Sequence, residues 1–243
     1  MQIKTIVNES VCKICGSGAR LYGVTDFNTA CYANNVHRYV YPLSGIPVYY
    51  HQCNACGLIF THAFDDWSDE EFQQHIYNDD YQKFDPAFNQ TRPEKNAEIL
   101  LSNFKELFSC TMLDFGCGDG QLVNKLKEMN INVTGWDPFH NDAPMPEHTF
   151  EFVTSFEVME HTPDPLKTVF LINELMDKKT GRYFFSTGVC DNHSDEIMNN
   201  WYIAPRNGHV TIYSKKSLEI LFARFGMKVV HFSEWYHLAY RSE

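Results

Sequence analysis

The chain has 243 residues and a formal net charge of -11 at pH 7, with 44% hydrophobic, 15% aromatic and 21% charged residues. Length and composition fit one large α/β domain with a small accessory module, and they exclude a disordered or fibrous protein. The acidic balance argues against binding to duplex nucleic acid, and the lack of a long apolar stretch or leader pattern predicts a soluble, cytoplasmic protein with no membrane partner.

The N-terminal part of the chain predicts a small β-rich module. It combines Tyr, Asn, Gly and Cys with short alternating stretches such as IPVYYHQC, and it shows no helical period. A capping box of Ser68 and Glu71 then predicts a helix over SDEEFQQHIY. A second helix is predicted over RPEKNAEILLSNFKELF, because Pro93 stands near its start and apolar residues follow at helical spacing.

From residue 110 onward, predicted strands and helices alternate. The strands are CTMLDF, INVTGWD, FEFVTSF, GRYFFSTG and the terminal segments MKVVHFSEW and YHLAYRSE. The helices are GQLVNKLKEM, DPLKTVFLINELM and SKKSLEILFARFG. This alternation predicts an α/β fold with a doubly wound, mostly parallel sheet, whose ligands bind at the carboxyl ends of the strands.

The stretch LDFGCGDG follows the first strand of this series. Gly116 and Gly118 would let the backbone turn tightly beside a ligand, and Gly120 would allow close packing at the helix start. Asp137 ends the next strand, where a carboxylate can accept hydrogen bonds from ribose hydroxyls. A plain strand-to-helix turn, and a turn-capping role for Asp137, are the alternatives.

Four motifs in this order resemble the class I S-adenosylmethionine-dependent methyltransferases. LDFGCGDG and VTGWDP look like their first two motifs, FEFVTSFEVMEHTPDP is similar to the fourth-strand motif of the small-molecule branch, and WYIAPRNGHVTIYSKKSLEILFARFGMKV resembles that branch's late segment. The resemblance covers about residues 90–243. It implies a Rossmann-like fold, S-adenosylmethionine as cofactor and a small-molecule acceptor.

The resemblance also implies roles for single residues. Asp114 would bond the methionine ammonium, directly or through water, and Asp137 would accept from the ribose. The remaining cofactor contacts would be the backbone of Gly116, Cys117 and Gly118, the adenine neighbours Pro138 and Phe139, and the pocket residues Ser155, Phe156 and Glu157. Only 12 residues separate Asp137 from Phe150, too few for the family's third strand, so Asp142 or the backbone near Ala143 is the expected substitute beside the adenine.

Two C-x-x-C pairs separated by 37 residues, each followed by Gly, predict a structural zinc site. Cys12, Cys15, Cys53 and Cys56 would supply a complete tetrahedral set of thiolates, which leaves no open position for chemistry. A redox dithiol and an iron–sulfur cluster are the alternatives, and the possible substitute ligands are Cys31, His37 and His51.

Such a module before a methyltransferase resembles the zinc-containing sugar C-methyltransferases, which implies a nucleotide sugar or glycan precursor as acceptor. Those enzymes carry a further C-terminal domain, whereas this chain ends at residue 243. The predicted domains are a zinc-binding module over residues 1–65, a helical connector over 66–92 and the methyltransferase domain over 93–243.

A general base is needed when the methyl acceptor is a hydroxyl or an acidic carbon, because the acceptor must lose a proton. His161 and His209 are the predicted bases, since both fall on loops at the carboxyl edge of the sheet. Ordinary hydrogen-bonded histidines are the alternative. The family's second His follows a Glu, where this chain has Gly208. The predicted walls of the acceptor pocket are Tyr81, Trp201, Tyr202 and Tyr213.

O-methylation and C-methylation stay open, as does the oligomeric state. One rival function is a binding or regulatory protein that keeps the fold without turnover, which the shortened adenine segment and Gly208 support. The other is a nucleic-acid methyltransferase guided by the zinc module. The acidic charge and the lack of an Asn- or Asp-Pro-Pro-aromatic tetrapeptide argue against it.

Overall fold

The computed structural model describes residues 9–31, 41–85, 91–139, 144–191 and 200–241. Asp142, Ala143 and His37, which the sequence suggested as alternative contacts or ligands, lie outside these ranges. The strands within them form two sheets. Among the described residues, no helix has both the length and the apolar character needed to cross a membrane.

The first sheet is antiparallel and contains the predicted N-terminal module. Its strand order is β1-β2-β3-β4-β9, with β1 Glu9–Val11, β2 Gly18–Asp26, β3 Pro47–Cys53, β4 Ile59–Thr61 and β9 Thr211–Ile212. The last strand therefore comes from the C-terminal part of the chain, and it pairs Ile59 with Ile212 and Phe60 with Thr211. The sheet crosses the domain boundary predicted at residue 65.

Three helices follow the first four strands: α1 Asp69–His75, α2 Tyr81–Phe84 and α3 Arg92–Asn103. The predicted capping box of Ser68 and Glu71 starts α1. The prediction that one helix continues to Phe108 is wrong, because Phe104 turns to φ -130° and ψ 87° and only a short 3-10 turn follows. In that conformation the Phe104 ring packs between the rings of Phe152 and Phe184, at centroid distances of 5.0 and 4.9 Å.

The second sheet has the predicted α/β architecture. Its strand order is β10-β11-β8-β7-β5-β6, with β5 Met112–Phe115, β6 Val133–Trp136, β7 Phe152–Phe156, β8 Arg182–Ser186, β10 Met227–His231 and β11 Tyr236–Arg241. The pairs β5·β6, β5·β7 and β7·β8 are parallel, and β11 pairs antiparallel with β8 and β10. Because β5 has its two sequence successors on opposite sides, a crevice opens at its carboxyl end.

Helices cover both faces of this sheet, so its strands are buried on each side. On one face, α3 and α4 (Gln121–Glu128) pack on Met112, Phe152 and Phe184. On the other, α5 (Pro165–Leu175) and α6 (Lys215–Ala223) pack on Leu113, Val153, Tyr183 and Phe185. Alternate residues of each strand thus serve opposite cores, as the period of two requires. The fold is Rossmann-like, as predicted, and its rigid strands position the crevice.

Candidate active site and metal centre

A cavity of about 1030 Å³ opens at the carboxyl ends of β5, β6 and β7. The glycine loop, the residues after β6 and those after β7 form one side, and the connector between α1 and α3 forms the other. Seven of the ten predicted cofactor residues line it: Gly116, Gly118, Asp137, Pro138, Phe139, Phe156 and Glu157. The predicted bases His161 and His209 line the same cavity. The structure therefore brings the two predicted sets of residues together.

The glycine loop, residues 116–120, forms a cradle that leaves no room for a side chain at Gly116. Gly116 has φ +76°, and a Cβ there would lie 2.5 Å from Cγ2 of Val158. The amide of Gly118 donates to Oδ2 of Asp137 at 2.9 Å, and that of Phe139 donates to Oδ1 at 2.8 Å. These bonds hold the Asp137 carboxylate against the cavity. Carboxylate oxygens can each accept more than one hydrogen bond, including one from a hydroxyl.

Three predicted cofactor residues lie behind the cavity wall. Asp114 is buried and accepts at Oδ1 from Oγ1 of Thr154 at 2.8 Å. Burial, together with the nearby charge of Asp137, raises the pKa of Asp114 to about 7. The hydroxyl of Ser155 bonds that of Tyr183, and the thiol of Cys117 is directed to the carbonyl of Gly118 at 3.7 Å.

His161 and His209 lie side by side, with ring centroids 4.9 Å apart. His161 ends the 3-10 turn Met159–His161 after β7, and His209 precedes β9. Nδ1 of His209 donates to the carbonyl oxygen of Tyr202 at 2.9 Å, so Nε2 carries the lone pair. Burial lowers the pKa of His161 to about 4 and that of His209 well below its usual range. Both rings are therefore neutral at neutral pH.

Two carboxyl groups follow β7 near the histidines in the chain: Glu157, which is half-buried and lines the cavity, and Glu160, which is buried and which the sequence prediction missed. Oε1 of Glu160 accepts from the Tyr202 hydroxyl at 2.7 Å. Glu157 adopts φ +56°, and its Oε1 accepts from the Ser186 hydroxyl at 3.1 Å. Burial raises the pKa of both carboxyl groups. The Glu-His pair at the end of a buried strand was the available signal for Glu160.

The predicted acceptor-pocket residues divide into two pairs. Tyr81 and Trp201 line the cavity. The prediction that Tyr202 and Tyr213 line it is wrong, since both are buried behind the wall, with hydroxyls directed to Glu160 and to the carbonyl of Met159. The Tyr202 ring packs edge-on against His209 instead, at 4.3 Å between centroids. The sequence did not indicate three other residues that line the cavity, Asp85, Arg92 and Asn207. The Arg92 guanidinium donates to the Asp85 carboxylate at 2.5 Å.

The four cysteines of the C-x-x-C pairs converge in the first sheet. Sγ of Cys12 lies 3.6 Å from that of Cys56, and Sγ of Cys15 lies 3.5 Å from that of Cys53. A tetrahedral zinc–thiolate site requires sulfur separations of about 3.8 Å, so the four sulfurs fit one zinc ion. The amides of Ala55 and Cys56 point to Sγ of Cys53 at 3.4 Å each. The suggested substitute Cys31 lies elsewhere, 3.5 Å from Nδ1 of His209.

Hydrogen bonds connect the first sheet, which carries the four cysteines, to the segment around His209. The Ser214 hydroxyl, which caps α6, donates to the carbonyl of Cys56 at 2.5 Å. The amide of Thr61 donates to the carbonyl of Val210 at 3.1 Å, and the amide of Val210 donates to the carbonyl of Glu160 at 2.9 Å. The segment that carries His209 is thus held between the first sheet and the turn after β7.

Comparison with known proteins identifies relatives of this chain. The profile of a family described as "Methyltransferase domain" matches residues 70–232. A ubiquinone biosynthesis O-methyltransferase of Vibrio cholerae serotype O1 is 29% identical over 113 residues, which is 36% of this chain and 46% of that protein. That of Aliivibrio fischeri is 27% identical over 113 residues, 36% of this chain and 48% of that protein. The chain thus spans about half the length of the curated relatives it matches.

Solved structures share the fold at low identity. The mitomycin 7-O-methyltransferase MmcR superposes with a TM-score of 0.56 and 12% identity, over 71% of this chain and 60% of that one. CalO1, a methyltransferase of calicheamicin biosynthesis solved with S-adenosylhomocysteine, superposes with a TM-score of 0.50 and 15% identity, over 74% of this chain and 63% of that one. These similarities support the Rossmann-like architecture described above.

Proposed function

Because the chain belongs to the methyltransferase-domain family, we propose that it transfers a methyl group from S-adenosylmethionine to a hydroxyl group of a small molecule. One observation carries the proposal: a single cavity joins the glycine cradle and Asp137 to the neutral pair His161 and His209. Gly116 lines the cavity with backbone alone, as contacts from the backbone to a cofactor require, and a Cβ there would collide with Val158. Asp137 would accept from the ribose, and Pro138 and Phe139 would flank the adenine.

The cavity residues around His209 would act on the acceptor. When bound, S-adenosylmethionine supplies a methyl group on a positively charged sulfur. The bond from Nδ1 of His209 to Tyr202 keeps the Nε2 lone pair available for the proton of an acceptor hydroxyl. The walls formed by Tyr81, Trp201 and Glu157 would hold the acceptor oxygen in line with the methyl carbon, and positioning of this kind supplies much of the rate.

The acceptor that we propose is a small polar metabolite, such as a nucleotide sugar or another glycan precursor. Its support is the four-cysteine module, for which we propose a structural zinc ion, and the polar wall of Asp85, Arg92 and Asn207. We also propose a cytoplasmic location. All eight cysteines lie in the described ranges as free thiols, which fits a reducing compartment.

The first test is calorimetric titration of the zinc-loaded protein with S-adenosylmethionine and S-adenosylhomocysteine, followed by acceptor screening with a labelled methyl donor. Saturable binding of both and transfer to a hydroxylated acceptor would support the proposal. The regulatory rival predicts binding without transfer to any acceptor. Absence of binding at millimolar ligand would refute the cofactor assignment.

Replacing His209 with Gln is expected to lower kcat by about 10²-fold or more, since the lone pair facing the acceptor is lost. Cofactor affinity should not change, because His209 does not contact the glycine cradle or Asp137. Steady-state kinetics on an acceptor found in the screen, with calorimetry in parallel, measures both quantities. His75→Gln, on the exposed face of α1, is the matched control. Unchanged kcat in His209→Gln would contradict the role.

Cofactor affinity is expected to rise about tenfold between about pH 6 and about pH 8. Burial raises the pKa of Asp114 to about 7, so its carboxyl is mostly protonated at the lower pH and ionised at the higher one. Only the ionised form attracts the methionine ammonium, so binding strengthens as pH rises through that pKa. Calorimetry across this range checks the slope, and Asp114→Asn should abolish it. A slope that survives in Asp114→Asn would assign the titration to another group.

A further inference from the structure

Three side chains with metal-binding atoms converge beside the cavity, which two of them, His161 and His209, line. Glu160 and His161 come from the turn after β7, and His209 comes from the segment before β9. One ligand atom from each lies within 4.8 Å of the other two. The bond from the Val210 amide to the Glu160 carbonyl, at 2.9 Å, fixes the two segments side by side. The cluster is separate from the four cysteines, which form a group of their own.

Two polar atoms of this cluster lack a hydrogen-bond partner within the described part of the chain. They are Oε2 of Glu160 and Nδ1 of His161. Glu160 is fully buried, at 0% exposure, and burial of an unpaired carboxylate oxygen is costly. A protein would tolerate this arrangement if a cation completed it, because a metal ion satisfies a buried carboxylate and neutral imidazoles together.

The remaining atoms of two of these side chains already have the bonds that metal ligands have. Histidine ligands commonly donate their second ring N–H to a carbonyl, and carboxylate ligands accept a bond at the other oxygen. Nδ1 of His209 donates to the Tyr202 carbonyl at 2.9 Å, which leaves Nε2 as an electron-pair donor. Oε1 of Glu160 accepts from the Tyr202 hydroxyl at 2.7 Å, which leaves Oε2. A single residue thus orients two of the three groups.

We propose that Glu160, His161 and His209 bind one divalent transition-metal ion at the wall of the cavity, with Glu160 holding it from behind the two histidines that line the cavity. Two imidazoles and one carboxylate suit zinc, iron, manganese or cobalt rather than magnesium. Three protein ligands leave open coordination positions, and the cavity is the space available to them.

The chemical role of the ion rests on the proposed function, whereas its binding does not. The acceptor hydroxyl oxygen would occupy an open position, and coordination would lower its pKa. Its proton would leave to water in the cavity. The oxygen would then form the new bond to the methyl carbon as the carbon–sulfur bond breaks, with the electron pair staying on sulfur. His209 would then act as a metal ligand instead of a general base, and its replacement would lower turnover in both cases.

Cobalt titration of the protein loaded with only one zinc ion per chain, the amount that the four cysteines take up, tests the site. Co²⁺ bound to nitrogen and oxygen gives weak visible absorption, whereas Co²⁺ bound to thiolate gives intense charge-transfer absorption, so the two sites have separate signals. We expect one Co²⁺ per chain without the thiolate signal. Glu160→Gln and His209→Gln should each weaken the affinity for Co²⁺ by at least about tenfold. Tyr202→Phe, which keeps the ring and the backbone carbonyl but removes the hydroxyl, should weaken it by about tenfold.

The controls are Glu174→Gln and His148→Gln, which change exposed residues away from the cavity and should leave Co²⁺ binding unchanged. Calorimetry with S-adenosylmethionine shows whether each variant is folded, and Tyr202→Phe decides the matter if the ligand variants do not fold. Absence of Co²⁺ binding, or binding that none of the three substitutions weakens, would overturn the metal site. Binding of S-adenosylmethionine without binding of Co²⁺ would overturn the metal site and leave the proposed function in place. Binding of Co²⁺ without binding of S-adenosylmethionine would refute the proposed function and leave the metal site in place.

Discussion

Replacing Asp137 with Ala is expected to weaken the binding of S-adenosylmethionine by about 100-fold. Charge-assisted hydrogen bonds are each worth about 1.5–3 kcal/mol, and the loss of two bonds from ribose hydroxyls accounts for about 3 kcal/mol or more. The substitution also releases the amides of Gly118 and Phe139, which the carboxylate now holds at 2.9 and 2.8 Å. The loop and the segment beside the adenine would then lose their common anchor.

Calorimetry with S-adenosylhomocysteine measures this loss without interference from turnover. Asp119→Ala is the matched control, because Asp119 lies in the same loop but is exposed and bonds only the neighbouring Gln121 side chain among the contacts described. We expect its affinity to stay within about twofold of the wild type. Equal affinities for the Asp137 variant and the wild type would refute the assignment of this carboxylate to the cofactor.

Loss of the zinc that we propose is expected to destabilise the protein by at least about 3 kcal/mol and to abolish turnover. Binding of a structural zinc contributes about 10 kcal/mol or more to the folding of small modules, and four unpaired cysteines cannot replace it. The effect on turnover follows from the position of His209, two residues before β9, since β9 pairs with β4 of the same sheet. Cys56→Ser, or chelation, should therefore disturb the acceptor side of the cavity.

Thermal unfolding followed by circular dichroism, with zinc content measured on the same samples, checks this expectation. Cys110→Ser changes a half-buried cysteine outside the cluster and should retain both zinc and turnover. Metal analysis should find about one zinc per chain in the wild type before any Co²⁺ is added. Purified protein that contains no zinc and unfolds at the same temperature after Cys56→Ser would rule out the structural role.

Local patterns account for the parts of the fold that the sequence predicted correctly. The strands of the second sheet are short apolar runs bounded by turn residues, and the glycine cradle needs Gly116 at φ +76°, so both leave a signal within a few residues. The capping box of Ser68 and Glu71 is likewise local. Phe104 illustrates the limit: its helical spacing continued the pattern of α3, but packing between two strand residues decided its conformation.

Features that depend on long-range contacts left no such signal. The two residues of β9 have no periodicity, and only their pairing with β4 makes them a strand. Tyr202 was predicted as a wall of the acceptor pocket because it is aromatic and near Trp201, yet its ring is buried against His209. The Glu-His pair that contains Glu160 is visible in the sequence, but no local pattern shows that its carboxylate is buried. Only its burial and its bond to Tyr202 distinguish it.

The pairing of β4 with β9 also constrains how the protein can be made. β4 ends at residue 61 and β9 begins at residue 211. At about 5–20 residues per second, synthesis of the chain between them takes on the order of 10–30 s. During that time β4 presents an unpaired edge on the ribosome, which is a site for aggregation. We therefore expect the cell to depend on chaperones or early metal capture to protect the nascent N-terminal sheet, and truncated chains that lack β9 to accumulate in the insoluble fraction.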